Sequence, residues 1–148
     1  MQYGICNLSI VPLRFEPSDK TELVSQVLYG DYFKVLEQRK SWSKIRLAFD
    51  KYEGWIDNKQ YLDISEEQYQ KLHQETPILT YDLIDFVQDD NSQLYAIPLG
   101  AALNGLFIIK HNHEGQTVND IKTKDNLIET AFLYLNTPYL WGGKTPFG

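Results

Sequence analysis

The sequence contains a single cysteine and lacks any long apolar run. One cysteine cannot form an internal disulfide, which is typical of a reducing compartment. No apolar stretch approaches the roughly 20 residues of a membrane span, and the first residues lack the basic start and apolar core of a secretory signal. We therefore expect a cytoplasmic protein with no membrane partner.

Basic residues are also few. The 14 lysines and arginines are outnumbered by 20 acidic residues, which gives a formal net charge of −6. They are scattered along the sequence and form no basic stripe that would neutralise phosphates, so nucleic acid is not an expected partner. The chain is 43% hydrophobic and 14% aromatic, which is enough for a folded core.

The few cysteine and histidine residues do not suggest a metal or a nucleophile. Cys6 lies between apolar residues of a predicted first strand, which favours a buried structural thiol. The segment His111–His113 has the composition of a turn, so we expect a solvated loop. With His73, these histidines have no cysteine or carboxylate at a known ligand spacing. We expect no metal site and no cofactor.

Residues 1–62 have the pattern of a small antiparallel barrel. Short segments rich in β-forming residues alternate with turn residues such as Gly30-Asp31 and Gln38–Ser41. Five or six such strands in about sixty residues are typical of a barrel of SH3 size. The segments are Leu23–Leu28, Tyr32–Leu36, Trp42–Leu47 and Gly54–Ile56.

Residues 63–75 are predicted to form a linker helix, and residues 76–120 a second, less clear SH3-like barrel. Ser65 suits the N-cap of the helix, with Gln68 three residues later as in a capping box. In the second barrel, the apolar run Leu106–Ile109 is predicted as a strand. The segments Leu28–Gly30 and Pro98–Gly100 are predicted to be equivalent turns of a repeat.

In residues 121–148 the spacing of apolar residues changes from that of strands to that of a helix. Apolar residues from Thr123 to Asn136 predict a helix with one apolar face, capped by Thr123 and ended before Thr137-Pro138. Such a helix is only marginally stable alone and needs a partner surface. Docking on the second barrel, self-association and mobility all remain open.

This helix and the stretch Thr137–Gly148 resemble the entrance to the catalytic domain of NlpC-type cysteine peptidases. The segment Ser9–Asp31, together with Trp42–Arg46 and Tyr52–Ile56, resembles the bacterial SH3-type domain that precedes such peptidases. The resemblance implies a mainly β chain of two tandem SH3-like barrels, followed by the first helix of an incomplete α+β papain-like domain.

The implied activity is hydrolysis of the γ-D-glutamyl to diamino acid bond in murein peptides. In the family a cysteine nucleophile follows this loop, so we expect Gly148 to lie just before it. The nucleophile and the catalytic histidine are then outside the sequence, and these 148 residues should be inactive alone. The implied partner is the peptide L-Ala-γ-D-Glu-diamino acid.

The resemblance also assigns roles near the C-terminal end. Tyr139 matches a tyrosine that supports the oxyanion, with packing below the loop as the alternative. Trp141 matches an aromatic wall of the substrate cleft, with core filling as the alternative. Gly142 and Gly143 match glycines that let the backbone turn tightly.

In members with an SH3-type lid, the lid is implied to recognise the free amino terminus of L-Ala. An ammonium in a closed site needs a carboxylate, and Glu16 and Tyr52 are the two candidate residues for this recognition. A solvated Glu16 and a Tyr52 packed on the barrel are the alternatives. Arg14 is expected to pair with Glu16 or with a peptide carboxylate.

Two other functions remain open from the sequence alone. Tandem SH3-like barrels could form a peptide- or protein-binding module without catalysis, using exposed tyrosines such as Tyr29, Tyr32 and Tyr52. They could also serve a structural role, in which they only orient an enzyme.

Overall fold

Seven antiparallel strands build the first part of the chain in this computed structural model, which describes residues 1–118 and 123–148. Their order in the sheet is β3-β2-β6-β5-β4-β1-β7. The strands are β1 (Gln2–Ile5), β2 (Ile10–Arg14), β3 (Leu23–Leu28), β4 (Tyr32–Gln38), β5 (Trp42–Leu47), β6 (Glu53–Asp57) and β7 (Leu62–Ile64). Strand β3 is an edge strand, because only β2 pairs with it.

The alternating pattern of these strands turns one face inward. In β2, Val11 and Leu13 are buried, and in β5 Ile45 and Leu47 are buried between more exposed neighbours. This is the two-residue period of a sheet with one packed face. The inward residues form one core, made of Cys6, Val11, Leu13, Val27, Phe33, Val35, Ile45, Leu47, Ile56 and Tyr61.

Helix α1 (Glu66–Gln74) follows the sheet and confirms the predicted linker helix and its cap. The Gln68 N–H donates to the Ser65 hydroxyl at 3.1 Å, and the Ser65 N–H donates to the Gln68 side chain at 2.9 Å. Both bonds of a capping box are therefore present. The helix buries Tyr69 and Leu72.

The second part of the chain has two smaller antiparallel sheets and one short helix. A three-stranded sheet has the order β10-β9-β11, and β12 pairs with β8. The elements are β8 (Leu79–Thr80), β9 (Ile84–Asp89), β10 (Leu94–Pro98), α2 (Leu106–Ile109), β11 (His111–His113) and β12 (Thr117–Val118).

Two predictions in this part are wrong. Leu106–Ile109 is helical, and Lys110 ends the helix in the left-handed conformation at φ 63°. A four-residue apolar run does not distinguish a strand from a buried helical turn by its period. His111–His113 is a strand that pairs with Val87–Asp89 of β9, and so it is not a loop.

The two parts share a core. It combines residues of the first sheet and α1, such as Ile5 and Leu72, with residues of the second part, such as Val87 and Ile97. The two turns predicted to be equivalent have the same geometry. Gly30 has φ 78° and Gly100 has φ 80°, and each turn closes with a backbone hydrogen bond between residues three apart.

Helix α3 (Lys124–Leu133) begins after the N-cap Thr123, as predicted, and is shorter than the predicted span to Asn136. The predicted domain boundary between residues 120 and 121 lies outside the described residues. No side chain of α3 is buried, so its apolar residues are open to solvent. Those most exposed are Leu127, Ile128, Phe132 and Leu133.

The fold class is therefore mainly β with antiparallel sheets and a C-terminal helix, which confirms the prediction. The finer division into domains stays a prediction. None of the helices in the described part of the chain has the length and apolar character needed to cross a bilayer.

Candidate functional site

A cleft of about 280 Å³ lies between the first sheet and the C-terminal loop. Four of the residues predicted from the sequence line it, although they come from distant parts of the chain. The lining residues are Glu22, Val24, Tyr52, Tyr139, Trp141 and Gly142.

A hydrogen bond closes one side of the cleft. The indole Nε1 of Trp141 donates to Oε1 of Glu22 at 2.6 Å, across 119 positions of sequence. Glu22 is the last residue before β3, so the sheet fixes the start of its side chain. The second oxygen of this carboxylate has no partner within the described residues and stays available to a ligand.

The C-terminal loop lies along the edge strand β3. The Lys144 N–H donates to the side chain of the buried Gln26 at 2.7 Å. At Gly142, which has φ 78°, an added Cβ would lie 2.5 Å from the carbonyl oxygen of Leu23. Only glycine allows this approach of two backbones. The loop therefore covers the free edge of the sheet.

The loop also folds onto itself. An added Cβ at Gly143 would overlap with the backbone of Gly148, and the Gly143 N–H donates to the Leu140 carbonyl at 2.9 Å. Thr145 is buried, and its hydroxyl donates to the Gly148 carbonyl at 2.9 Å. These contacts require small residues at the two predicted glycine positions.

The aromatic residues of the cleft are open to solvent. Tyr139 is 84% exposed, Trp141 is 64% exposed and Tyr52 is 45% exposed. Packing below the loop and core filling were the alternatives for Tyr139 and Trp141, and their exposure does not fit either. Three exposed rings around one carboxylate form a surface that can contact a small ligand.

Two predicted residues lie away from the cleft. Glu16 is exposed on the β2–β3 hairpin loop and does not line the cleft. Arg14 donates from Nη1 to the Thr21 carbonyl at 3.1 Å, which closes the base of that hairpin. Its buried Nε has no hydrogen-bond partner within the described residues. Arg14 forms no ion pair with Glu16 in the part of the chain described, and its alternative pairing with a peptide carboxylate stays a prediction.

Sequence reasoning missed Glu22. The hairpin loop carries three acidic residues, Glu16, Asp19 and Glu22, and the sequence gives no local sign of which one meets a ligand. The partner that distinguishes Glu22 is an indole at the far end of the chain.

The cysteine is confirmed as a buried thiol. Cys6 is fully buried, and its Sγ donates to the Leu8 carbonyl at 3.3 Å. Burial raises the pKa of the Cys6 thiol to about 12, so it is protonated at neutral pH. A thiol in this state is not a nucleophile.

The histidines of β11 are held by side chains and are partly buried. The His111 ring stacks between Tyr29 and Tyr95, with ring centroids 5.9 and 4.9 Å away, and burial lowers the pKa of His111. Tyr29 is fully buried, so the expectation that it is exposed is wrong. His113 Nε2 lies 2.6 Å from an oxygen of Asp85. Within the described ranges, no group of three or more potential metal ligands comes together.

Comparison with known proteins extends these observations. Residues 13–60 match the bacterial dipeptidyl-peptidase SH3 domain, which confirms the predicted SH3-like domain. The chain is 26% identical to dipeptidyl-peptidase 6 of Lysinibacillus sphaericus over 164 aligned residues, covering 90% of this chain and 59% of that protein. It therefore spans less than two thirds of this relative.

A solved structure shares the fold. The crystal structure of an NlpC/P60 family protein from Bacillus cereus superposes with a TM-score of 0.76 at 17% identity, covering 99% of this chain and 68% of that one. The chain thus carries a segment similar to a peptidase-associated bacterial SH3 domain, within a fold that it shares over nearly its whole length with an NlpC/P60 protein.

Proposed function

We propose that these residues form the recognition part of a murein-peptide hydrolase that cleaves the γ-D-glutamyl to diamino acid bond. The observation that carries this proposal is the cleft, in which Glu22 and Tyr52 of the SH3-like domain meet Tyr139 and Trp141 of the C-terminal loop. The similarity to dipeptidyl-peptidase 6 and to the bacterial dipeptidyl-peptidase SH3 domain supports a peptidase.

Glu22 is the proposed acceptor for the free amino terminus of the L-Ala residue. An ammonium group in a closed site needs a carboxylate, and charge-assisted hydrogen bonds are the stronger kind. The Trp141 indole already fixes one oxygen of Glu22, so the other is oriented before the ligand binds. Tyr52 lies beside it and can contact the small methyl side chain.

We place the nucleophile and the catalytic histidine of the proposed reaction outside these 148 residues, because the single cysteine is a buried, protonated thiol. A cysteine thiolate would attack the γ-glutamyl carbonyl carbon, and the Tyr139 hydroxyl would donate to the resulting oxyanion. Collapse of this intermediate would release the diamino acid amine, protonated by a histidine, and water would then hydrolyse the thioester. We place this activity in the cytoplasm, on imported wall peptides, since the chain has one free thiol and no disulfide.

Peptide binding by the chain itself tests the recognition step. We expect L-Ala-γ-D-Glu-L-Lys, titrated into the ¹⁵N-labelled 148-residue chain, to shift the Trp141 indole resonance in a saturable manner. Glu22→Gln should weaken the affinity about fivefold to tenfold, because a partly exposed charge-assisted bond contributes about 1 kcal/mol. N-acetylation of the peptide should weaken it similarly.

Variants of two neighbouring acidic residues test whether Glu22 is the specific acceptor of the amino terminus. Asp19→Asn on the same exposed loop is the matched control and should change the affinity less than twofold. Glu16→Gln tests the carboxylate that the sequence favoured. If Glu16→Gln weakened binding more than Glu22→Gln, the amine site would return to Glu16 and the proposed cleft would be wrong.

Hydrolysis separates the enzyme from a pure binding module. The 148-residue chain should bind the tripeptide without cleaving it, whereas the protein with its catalytic residues should cleave it. Cleavage by the short chain would contradict the placement of the nucleophile outside it. Binding without cleavage in both proteins would favour a non-catalytic peptide-binding module.

A further inference from the structure

A second cleft, of about 350 Å³, lies where β4, β5, the loop after β5 and α1 meet. It shares no lining residue with the first cleft. Its polar lining is formed by Lys34, Arg46, Lys51, Gln70 and His73. The lysines and arginines are scattered in the sequence, but the fold collects three of them here.

Two of these cations have no acidic partner. Arg46 forms an ion pair with Glu53, with Nη2 to Oε1 at 2.6 Å, and Lys44 approaches the same carboxylate at 3.2 Å. Lys34 and Lys51 form no ion pair within residues 1–118 and 123–148. In a chain with net charge −6, two ammonium groups without an acidic partner thus line one concave surface, and one of them, Lys51 Nζ, donates to the Ala48 carbonyl at 2.5 Å.

The wall opposite the strands is held in place by aromatic contacts. The buried Tyr69 ring stacks on His73 at 5.9 Å, and the Nζ of Lys34 lies 5.6 Å from the Tyr69 ring centroid. The Tyr32 hydroxyl lies 3.2 Å from Nδ1 of His73. When this hydroxyl donates to Nδ1, the ring proton is on Nε2, which can then donate to a ligand.

We propose that this cleft binds a small phosphate monoester. A phosphate monoester carries about −1.5 to −2 charges at pH 7, which matches the charges of the two lysines that have no acidic partner, Lys34 and Lys51. Lysine binds phosphate as a point charge, and the Gln70 amide and His73 supply further donors for its oxygens. The volume of the cleft lies at the lower end of the range for small-molecule sites.

The two clefts share no lining residue, so the proposal for one can be wrong while the proposal for the other is right. The probes are inorganic phosphate and phenyl phosphate, titrated into the ¹⁵N-labelled chain at constant ionic strength. Succinate, also a dianion, is the comparison for charge without phosphate geometry. We expect saturable shifts at Lys34, Gln70 and His73 with both phosphates, and at least fivefold weaker binding of succinate.

Substitutions locate the binding site. Lys34→Gln and Lys51→Asn should each weaken phenyl phosphate binding about fivefold, as expected for loss of one partly screened charge pair. Asparagine suits position 51, because Lys51 has φ 63°, in the left-handed region that asparagine tolerates. Lys40→Gln, an exposed lysine outside both clefts, is the matched control and should change the affinity less than twofold.

Three results would overturn the proposal. They are equal weakening by Lys40→Gln, non-saturable shifts spread over all lysines, and succinate binding as tightly as phosphate. The thermal unfolding of each variant shows that a loss of binding does not come from a loss of fold. Glu22→Gln should leave phosphate binding unchanged, since Glu22 lies in the other cleft.

Discussion

Asp31 is a partly buried carboxylate in the turn between β3 and β4, where its Oδ2 accepts the Leu28 N–H at 2.9 Å. Burial raises the pKa of Asp31 to about 6, while the Leu28 hydrogen bond and the charge of Lys144 act in the opposite direction. Asp50 adds to the rise through repulsion. At neutral pH Asp31 is therefore ionised, although the folded protein favours its protonated form.

The pH dependence of the stability of the Asp31→Asn variant tests whether ionised Asp31 destabilises the fold. The folded pKa is above the ordinary value of 3.8, so the stabilisation by protonated Asp31 is complete below about pH 4 and is lost as the pH rises through 6. Asparagine keeps an acceptor for Leu28 and cannot ionise. We expect Asp31→Asn to be more stable than the parent by about 1 to 3 kcal/mol at pH 8, and equal to it near pH 4.

Urea unfolding at the two pH values measures the difference. Asp63→Asn, at an exposed position in β7, is the matched control and should change the free energy of unfolding by less than about 0.5 kcal/mol. A loss of stability at pH 8 in Asp31→Asn would mean that the ionised carboxylate stabilises the turn.

Helix α1 depends on its N-cap residue, Ser65. The Ser65 hydroxyl accepts the Gln68 N–H, and without it this N–H loses its partner at the helix end. Ser65→Ala should lower the free energy of unfolding by about 1 kcal/mol, measured by urea denaturation. Ser65→Asp preserves an N-cap oxygen and should stay within about 0.5 kcal/mol of the parent. Equal losses in both variants would show that the cap does not stabilise the helix.

Elements with local signals were predictable from the sequence. The capping box of α1 uses residues three apart, and the strands of the first sheet follow alternating runs separated by turn residues. The helix α2 and the strand β11 were not predictable, because four-residue and three-residue segments carry too little periodicity. Tertiary contacts decide these short elements, such as the bond between His111 and Tyr29 across 82 positions.

In the candidate site, too, only the residues with a local sequence signal were predictable. The segment Tyr139–Gly143 was proposed from its resemblance to the loop that enters an NlpC-type catalytic domain. Glu22 was not, since only the folded chain shows its bond to Trp141. The exposure of the apolar side of α3 was likewise not predictable, because a helical pattern identifies the apolar side of a helix but not the surface that covers it.

At the scale of the whole molecule, Tyr29 contributes to the junction between the two parts of the chain. The Ala102 N–H donates to the Tyr29 carbonyl at 3.0 Å, and the Tyr29 hydroxyl lies 3.0 Å from Nδ1 of His111. The shared core continues from this junction through both parts. Because neither part has its apolar surface covered without the other, we expect them to unfold together.

Gly30 and Gly100 offer a matched test of this junction, since both have φ near 80°. An alanine is strained by about 1 kcal/mol at either position. At Gly30 the new Cβ would also overlap with the Ala102 carbonyl oxygen, whereas at Gly100 it meets nothing within 4 Å. Gly30→Ala should lower the free energy of unfolding by about 3 kcal/mol, and Gly100→Ala by about 1 kcal/mol.

Amide hydrogen exchange then measures which strands are destabilised by each substitution. In Gly30→Ala, protection should fall by a similar amount in β4, on the near side of the junction, and in β9, on the far side. In Gly100→Ala both strands should lose little protection. If β9 lost protection while β4 kept it, the two parts would be separate cooperative units, and the shared core would not couple their folding.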